Sequence, residues 1–176
     1  MPTVLITGAA RGLGLDFTRR YAARGWKVLA CARHAEGLEG IAGDIHHHPL
    51  EVTDYAAVKA LAARLDGEAI DVLLCNAGVG GQRGSNAQDL GTLDPAEWHR
   101  IFEINTLAPL MMAEAFVDHV ARSQQKKLIA LSSILGSIAS NTGGRYFYRA
   151  SKTALNRSEE HTSELQSRLH LVCRLL

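Results

Sequence analysis

The chain has 176 residues, of which 47% are hydrophobic, and a formal net charge of +1 at pH 7. This composition is typical of one globular domain, without the strongly basic balance of many nucleic-acid-binding proteins or the long apolar runs of membrane spans. We therefore expect no nucleic-acid and no membrane partner. The three cysteines lack metal-ligand spacing, and the chain starts on a strand-like segment rather than a signal peptide, so we expect a reduced cytoplasmic protein.

The first predicted element is a buried strand that runs directly into a glycine-rich turn. Apolar residues 4–6 precede Gly8, Gly12 and Gly14, and a helical pattern follows them. Such a turn lets the backbone approach a pyrophosphate, which sits at the N-terminus of the helix. The spacing is G-x-x-x-G-x-G rather than G-x-G-x-x-G, and the alternative is an ordinary loop with three glycines. The flanking strand and helix favour a dinucleotide-binding turn.

Strands and helices then alternate along the chain, which predicts an α/β fold: a Rossmann-type, doubly wound parallel sheet in three α/β/α layers. Ligands in such sheets bind at the carboxyl ends of the strands. Gly8, Asn76 and Ser133 each lie at or just after a predicted strand end, so we expect them at one edge of the sheet. The predicted strands are 3–7, 27–32, 45–51, 69–75 and 127–132, and the predicted helices are 13–24, 55–65, 95–123 and 147 onward.

The end of the second predicted strand bears on the choice of cofactor. An acid at this position would bind the ribose hydroxyls of NAD, but here Ala32 is followed by Arg33. Arg11 places a second guanidinium in the glycine-rich turn. Guanidinium pairs bidentately with phosphate, so the two arginines favour NADP over NAD, the alternative being two ordinary surface arginines.

His46, His47 and His48 invite a metal-site interpretation. Successive residues of an extended strand point to opposite faces, so three in a row do not converge on one ion. We therefore expect no metal site here.

Tyr148 and Lys152 are four residues apart at the start of the last predicted helix, and so share one face of it. A cation next to a phenol favours the phenolate, and such a tyrosine can exchange a proton with a carbonyl or alcohol oxygen. Taken alone, the pair more often marks a solvated helix face. Its significance depends on the other motifs.

Together these motifs resemble those of the short-chain dehydrogenase/reductases, and the resemblance covers residues 2 to about 156. Within this family, the chain is most similar to sequences of the C-factor-like subgroup. The resemblance lies in the strings SSILGSIASNTGG and YFYRASKTALN, and in RGWKV earlier in the chain. The five matching elements, in the family's order, are residues 7–14 (TGAARGLG), Asn76-Ala77-Gly78, Asn105 in EINTLAPL, Ser133 in SSILG, and Tyr148-x-x-x-Lys152.

The resemblance implies a role for each of these residues. Tyr148 would be the general acid or base, Lys152 would assist it and reach the nicotinamide ribose, Ser133 would bond the carbonyl oxygen, and Asn105 would hold a water of the proton relay. The substrate would be a small carbonyl or alcohol, and the parent protein a homo-oligomer. The cofactor would be NADP, bound by Gly8, Arg11, Gly12, Leu13, Gly14, Arg33, Glu51, Val52, Asn76, Ala77, Gly78, Tyr148 and Lys152.

Two residues depart from the family's pattern. Glu51 stands where an aspartate usually contacts adenine, and Cys75 replaces a common asparagine. Two alternatives to the reductase remain. One is a nucleotide-binding signalling protein in which occupancy rather than turnover is the output, and the other is an inactive fragment.

The resemblance to the family ends at Asn156. Residues 157–167 match the translation of a sequencing-library adapter, so we interpret 1–156 as a truncated nucleotide-binding domain and 157–176 as a non-native tail. We therefore expect a sheet that is incomplete at its C-terminal edge. The substrate cannot be predicted from the remaining loop, 78–92. The alternative is a genuine C-terminal helix, because apolar residues 165, 169, 172 and 176 repeat at helical steps. In either case we expect a helix to run past Asn156 with poor packing on the body.

Overall fold

The computed structural model describes residues 1–81, 88, 90–140, 143–160 and 170–174. Their strands form a six-stranded sheet of order β3-β2-β1-β4-β5-β6, in which all neighbours are parallel. The chain winds outward from β1 in one direction, returns, and continues from β4 in the other. This confirms the doubly wound Rossmann-type fold. The strands are β1 Thr3–Thr7, β2 Lys27–Ala32, β3 Ile45–Pro49, β4 Val72–Cys75, β5 Lys127–Leu131 and β6 His170–Arg174.

Helices cover both faces of the sheet, and the alternation of apolar side chains along the strands explains why. In β1, Leu5 joins one core cluster, whereas Val4 and Ile6 join another. Helices α2, α4 and α5 pack on the first cluster and α1 packs on the second. Both faces of the strands are therefore buried, as expected for a parallel sheet. The helices are α1 Gly12–Ala22, α2 Tyr55–Arg64, α3 Pro95–Phe102, α4 Ala108–Ala121 and α5 Tyr146–Glu160.

The prediction of a single helix over 95–123 is wrong in one respect. A π-helical turn, Glu103–Leu107, separates α3 from α4. Pro109 has no N–H to donate to the carbonyl of Asn105, four residues earlier, so the regular α-helical ladder is broken there. The N–H of Ala108 instead donates to the carbonyl of Glu103. The widened turn carries Asn105.

The C-terminal edge of the sheet also differs from our expectation. Helix α5 runs past Asn156 as predicted, but 170–174 form β6 rather than a helix, so the edge of β5 is not open. An exposed parallel edge presents unpaired N–H and C=O groups that readily pair with another segment, which explains the outcome. Residues 170–174 pair with β5 in parallel register, and the adapter origin of 157–176 stays a prediction. Leu165, Leu169 and Leu176, which carry the helical pattern, lie outside the described residues.

Over the described ranges, no helix is both long and apolar enough to cross a membrane.

Candidate active site

The glycine-rich turn packs tightly against the end of β4. Gly8 and Gly12 have positive φ angles of 66° and 53°, which favour glycine. A Cβ atom on Gly14 would lie 2.1 Å from the carbonyl oxygen of Gly8 and 2.5 Å from Nδ2 of Asn76, so no larger residue fits. The first turn of α1 has no acidic side chain, and its N-cap, Arg11, makes no side-chain capping bond. The N–H groups at this helix end are thus suited to bind an anion.

Thr7 and Asn76 hold the ends of β1 and β4 together. The hydroxyl oxygen of Thr7 accepts the backbone N–H groups of Asn76 and Ala77, each at 3.0 Å. Asn76 Nδ2 donates to the carbonyls of Thr7 (2.9 Å) and Gly8 (3.3 Å). Asn76 thereby shapes the turn that we expect to contact a nucleotide. Sequence reasoning assigned no role to Thr7, although its place immediately before the first glycine was a usable signal.

The residues expected around the adenosine end of the cofactor differ in their exposure to solvent. Arg11 and Arg33 are exposed, and so is Leu13 in the first turn of α1. Arg33 Nη1 lies 3.5 Å from Glu51 Oε2, so the arginine already faces a carboxylate. Val52, one of the residues expected to bind the cofactor, is buried in the core cluster on the α2 side of the sheet.

Asn105 is fully buried on the π-helical turn. Its Oδ1 accepts the N–H of Val79 at 2.8 Å, and its Nδ2 donates to the carbonyl of Val79 at 2.8 Å and to Ser151 Oγ at 3.0 Å. The carboxamide therefore ties the segment after β4, including Gly78, to helix α5. Asn105 has a clear structural role, and its part in a water relay stays a prediction.

Lys152 is buried within the proposed active site and does not lie on a solvated helix face. It is 5% exposed, and its Nζ donates to the carbonyl of Leu131, at the end of β5, at 2.7 Å. The same Nζ is 6.0 Å from the ring centroid of Tyr148. A Cβ atom built on Gly78 would lie 3.7 Å from it. The structure thus brings the ammonium close to both the tyrosine and the Asn76–Gly78 segment.

Ser133 directly precedes a single 3₁₀ turn, Ile134–Gly136, which lies next to helix α5. Its hydroxyl accepts the N–H of Leu135 at 3.2 Å and caps that turn. A Cβ atom on Gly136 would lie 2.9 Å from Cβ of Lys152, so the turn is in direct contact with the helix that carries Tyr148. The neighbouring Ser132 donates from Oγ to Oδ1 of Asn156 at 2.5 Å and adds a second link to α5.

Three further residues near Tyr148 had no role in the sequence-based prediction. The Arg145 guanidinium lies 4.8 Å from the tyrosine ring centroid, and its Nη2 donates to the carbonyl of Gly80 at 2.9 Å. Ser151 is buried and donates from Oγ to the carbonyl of Tyr148 at 2.8 Å. Gln88 accepts the backbone N–H of Tyr148 on its side-chain oxygen at 2.9 Å. Only Ser151 had a local signal, since it immediately precedes Lys152.

The loop expected to line one wall of the site, 78–92, is described only in part, since 82–87 and 89 lie outside the described residues.

The three successive histidines of β3 have separate surroundings. His46 Nε2 lies 2.7 Å from Asp44 Oδ1, and His47 Nε2 lies 3.0 Å from the carbonyl of Ala32. Partial burial, with the nearby charge of Arg64, lowers the pKa of His48 below 6.5. In the part of the chain that the structure describes, no three His, Cys, Asp or Glu side chains are grouped as metal ligands would be.

Comparison with known proteins identifies the family to which the chain belongs. The sequence profile of the family described as short chain dehydrogenase matches residues 2–168. The chain is 36% identical to the 1-hydroxy-2-glutathionyl-2-methyl-3-butene dehydrogenase of Rhodococcus sp. (strain AD45), a match that covers 89% of this chain and 67% of that protein. It spans 57% of the length of two other curated relatives that it matches.

Two solved structures show the same fold with a cofactor bound. The NADPH-bound carbonyl reductase from chicken fatty liver has a TM-score of 0.84 at 29% identity, over 99% of this chain and 78% of that one. A short-chain dehydrogenase/reductase from Burkholderia multivorans with bound NADP has a TM-score of 0.82 at 29% identity, over 99% of this chain and 77% of that one.

Proposed function

The chain belongs to the short-chain dehydrogenase family, and we propose that it is an NADP-dependent oxidoreductase acting on a small carbonyl or alcohol substrate. One observation carries the proposal. Tyr148 and Lys152 lie on one face of α5, and the ammonium of Lys152 is held at the carboxyl end of β5 beside Gly78. The proton-transfer group and the nucleotide-binding edge of the sheet therefore meet at one place.

The described residues fit a nicotinamide dinucleotide. Gly8, Gly12 and Gly14 are three positions of the turn without a side chain, and the N–H groups that begin α1 can bind the pyrophosphate. Asn76–Gly78 would line the path from this turn toward Lys152. When bound, the cofactor supplies the hydride, and the protein supplies orientation and electrostatics.

Each of the four site residues then has a definable task. In reduction, the hydroxyl of Tyr148 would donate a proton to the substrate oxygen, and in oxidation its phenolate would accept one. The ammonium of Lys152 would reach the nicotinamide ribose beside the tyrosine, and the hydroxyl of Ser133 would bond the substrate oxygen as charge develops there. Because Pro109 lacks an N–H, the main-chain carbonyl of Asn105 rather than its carboxamide is the group suited to hold a relay water.

Two arginines support NADP rather than NAD. Arg11 and Arg33 are exposed, and Arg33 directly follows the end of β2, where a 2′-phosphate would lie. The relatives crystallised with NADP or NADPH agree with this choice.

A second candidate function is nucleotide binding without turnover, as in a signalling protein of the C-factor-like kind. The observation that favours it is that the turn, Thr7 and Asn76 hold one another in place without help from Tyr148 or Lys152. Binding could therefore persist where catalysis is absent.

Tyr148→Phe separates the two functions, and Tyr146→Phe, at the exposed first residue of the same helix, is the matched control. In fluorescence titration we expect Tyr146→Phe to bind NADPH as the wild type does, and Tyr148→Phe to lose at most about tenfold in affinity, because its hydroxyl is one of many expected cofactor contacts. In an assay of NADPH oxidation with a panel of aldehydes and ketones, Tyr148→Phe should lose about 10²- to 10⁴-fold in turnover, whereas Tyr146→Phe should not. Wild-type protein that binds NADPH but oxidises none of it would favour the second function.

A further inference from the structure

The helix that carries Tyr148 begins without a suitable capping residue next to it. Helix α5 starts at Tyr146, and the preceding residue, Arg145, has a φ of 50° and a side chain that contains only hydrogen-bond donors. The first N–H groups of any helix have no acceptor within the helix. An acceptor for this end of α5 therefore has to come from water, a ligand or a residue elsewhere in the chain.

Gln88 supplies that acceptor from 60 residues away. Its Oε1 accepts the N–H of Tyr148 at 2.9 Å, and its main-chain oxygen accepts the N–H of Tyr146 at 3.4 Å. With Arg145 as the N-cap, Tyr148 is the third helical residue, whose N–H is a usual target of a capping side chain. Gln88 is 7% exposed, so solvent does not readily replace these bonds.

The other end of the same carboxamide holds the segment that follows β4. Gln88 Nε2 donates to the carbonyl of Gly80 at 2.8 Å. Gly81 has a φ of 101°, and a Cβ atom there would lie 2.0 Å from Gln88 Nε2. A Cβ atom on Gly80 would lie 2.4 Å from Nη2 of Arg145, which also bonds the Gly80 carbonyl. The glycine pair thus leaves room for two side chains that both contact Tyr148.

We infer that Gln88 is a positioning residue for Tyr148: it caps α5 from a distant segment and ties that helix end to Gly80. The inference rests on the proposed role of Tyr148 as general acid or base. Gln88 fixes the backbone of the tyrosine, while the Arg145 guanidinium lies against its ring. Because small misplacements of a reacting group cost large factors in rate, Gln88 should affect kcat more than cofactor binding.

Two substitutions separate the capping bond from the bond to Gly80. Gln88→Met keeps the length of the side chain and removes both bonds. Gln88→Glu keeps an acceptor for the N–H of Tyr148 and, at neutral pH, removes the donor to Gly80. The exposed Gln124→Met, in the turn after α4, is the matched control.

The first measurement is amide hydrogen exchange of the full chain by NMR, which requires no turnover. We expect Gln88→Met to lower the protection of the Tyr148 amide by about tenfold, whereas Gln88→Glu and Gln124→Met retain it. The second measurement is steady-state NADPH oxidation. Gln88→Met should lower kcat at least about tenfold with an unchanged Kd for NADPH, and Gln88→Glu should fall between Gln88→Met and the wild type.

The outcomes separate this inference from the proposed function. Unchanged protection of the Tyr148 amide in Gln88→Met would overturn the capping role. Lost protection with wild-type kcat would overturn the positioning role and leave the proposed function standing. A wild-type protein without turnover would refute the proposed function, and the exchange measurement would still decide the capping role.

Discussion

Glu51 Oε2 lies 3.5 Å from Nη1 of Arg33, so the arginine that we expect to bind a 2′-phosphate already faces a carboxylate. The two side chains are 42% and 62% exposed, and such a pair stabilises a protein by at most about 1 kcal/mol. The carboxylate is therefore easily displaced, but an incoming phosphate would have to overcome its repulsion.

Glu51→Gln should strengthen NADPH binding by roughly two- to fivefold, because it removes this repulsion and releases Arg33. The affinity for NADH should change less, since NADH has no 2′-phosphate. Fluorescence titration with both nucleotides measures the effect. Asp66→Asn removes a similar exposed partner from Arg122, 3.4 Å away, and serves as the control. An equal gain for NADPH and NADH would contradict a phosphate-specific role of Arg33.

Gly14→Ala should destabilise the nucleotide-binding turn, because the new Cβ atom would overlap the carbonyl oxygen of Gly8, 2.1 Å away. We expect the free energy of unfolding to fall by about 1–3 kcal/mol and NADPH affinity to fall with it. Urea denaturation and nucleotide titration measure the two effects. Gly67→Asn is the control, because nothing lies within 4 Å of its Cβ position and asparagine tolerates its φ of 88°. Wild-type stability of Gly14→Ala would show that the turn can open at low cost.

Thr7→Val should cost about 1–2 kcal/mol of unfolding free energy, because it keeps the shape of the side chain but removes the hydroxyl that accepts the N–H of Ala77. The same hydroxyl is one of two acceptors of the Asn76 N–H, the other being the carbonyl of Leu74 at 3.0 Å. Thr7→Ser retains the hydroxyl and should lose much less. Chemical denaturation of both variants tests the prediction. Equal losses in the two variants would assign the effect to the methyl group instead of the hydroxyl.

Burial raises the pKa of the Cys31 thiol to about 12 from its ordinary 9.0. The folded protein therefore holds this proton more tightly than the unfolded chain, so its stabilising effect is complete below pH 9 and is lost as the pH rises toward 12. The free energy of unfolding should fall by up to about 1.4 kcal/mol per pH unit in this window. Denaturation curves between pH 8 and 11 should show a shallower decline for Cys31→Ala. Identical slopes for the variant and the wild type would contradict a buried, protonated thiol.

The tail leads to a prediction about the gene. If residues 157–167 derive from adapter DNA, an independent long-read sequence across codon 156 should diverge from this chain after Asn156 and continue into further strands. Persistence of the same codons in genomic DNA would contradict the adapter origin. It would also make β6, His170–Arg174, a genuine part of the fold.

Much of the architecture follows from local patterns. Apolar runs located β1, β2, β4 and β5 to within a few residues, and the glycine spacing located the turn before α1. These features depend on neighbours in the chain, so one sequence suffices to predict them. The π-helical turn at Glu103–Leu107 was missed although Pro109 was visible, because the effect of a proline on the preceding turn depends on how the helix is packed.

Contacts between distant segments could not be predicted in this way. Residue order and periodicity placed Tyr148 and Lys152 on one face and brought Gly8, Asn76 and Ser133 to one edge of the sheet. They did not reveal that Gln88 caps α5, that Glu51 approaches Arg33, or that 170–174 pair with β5. Each of these contacts joins segments at least 18 residues apart, and its geometry depends on how the intervening chain folds back. The sequence therefore predicts which residue types the proposed site contains, whereas the positioning of their side chains depends on the packed structure.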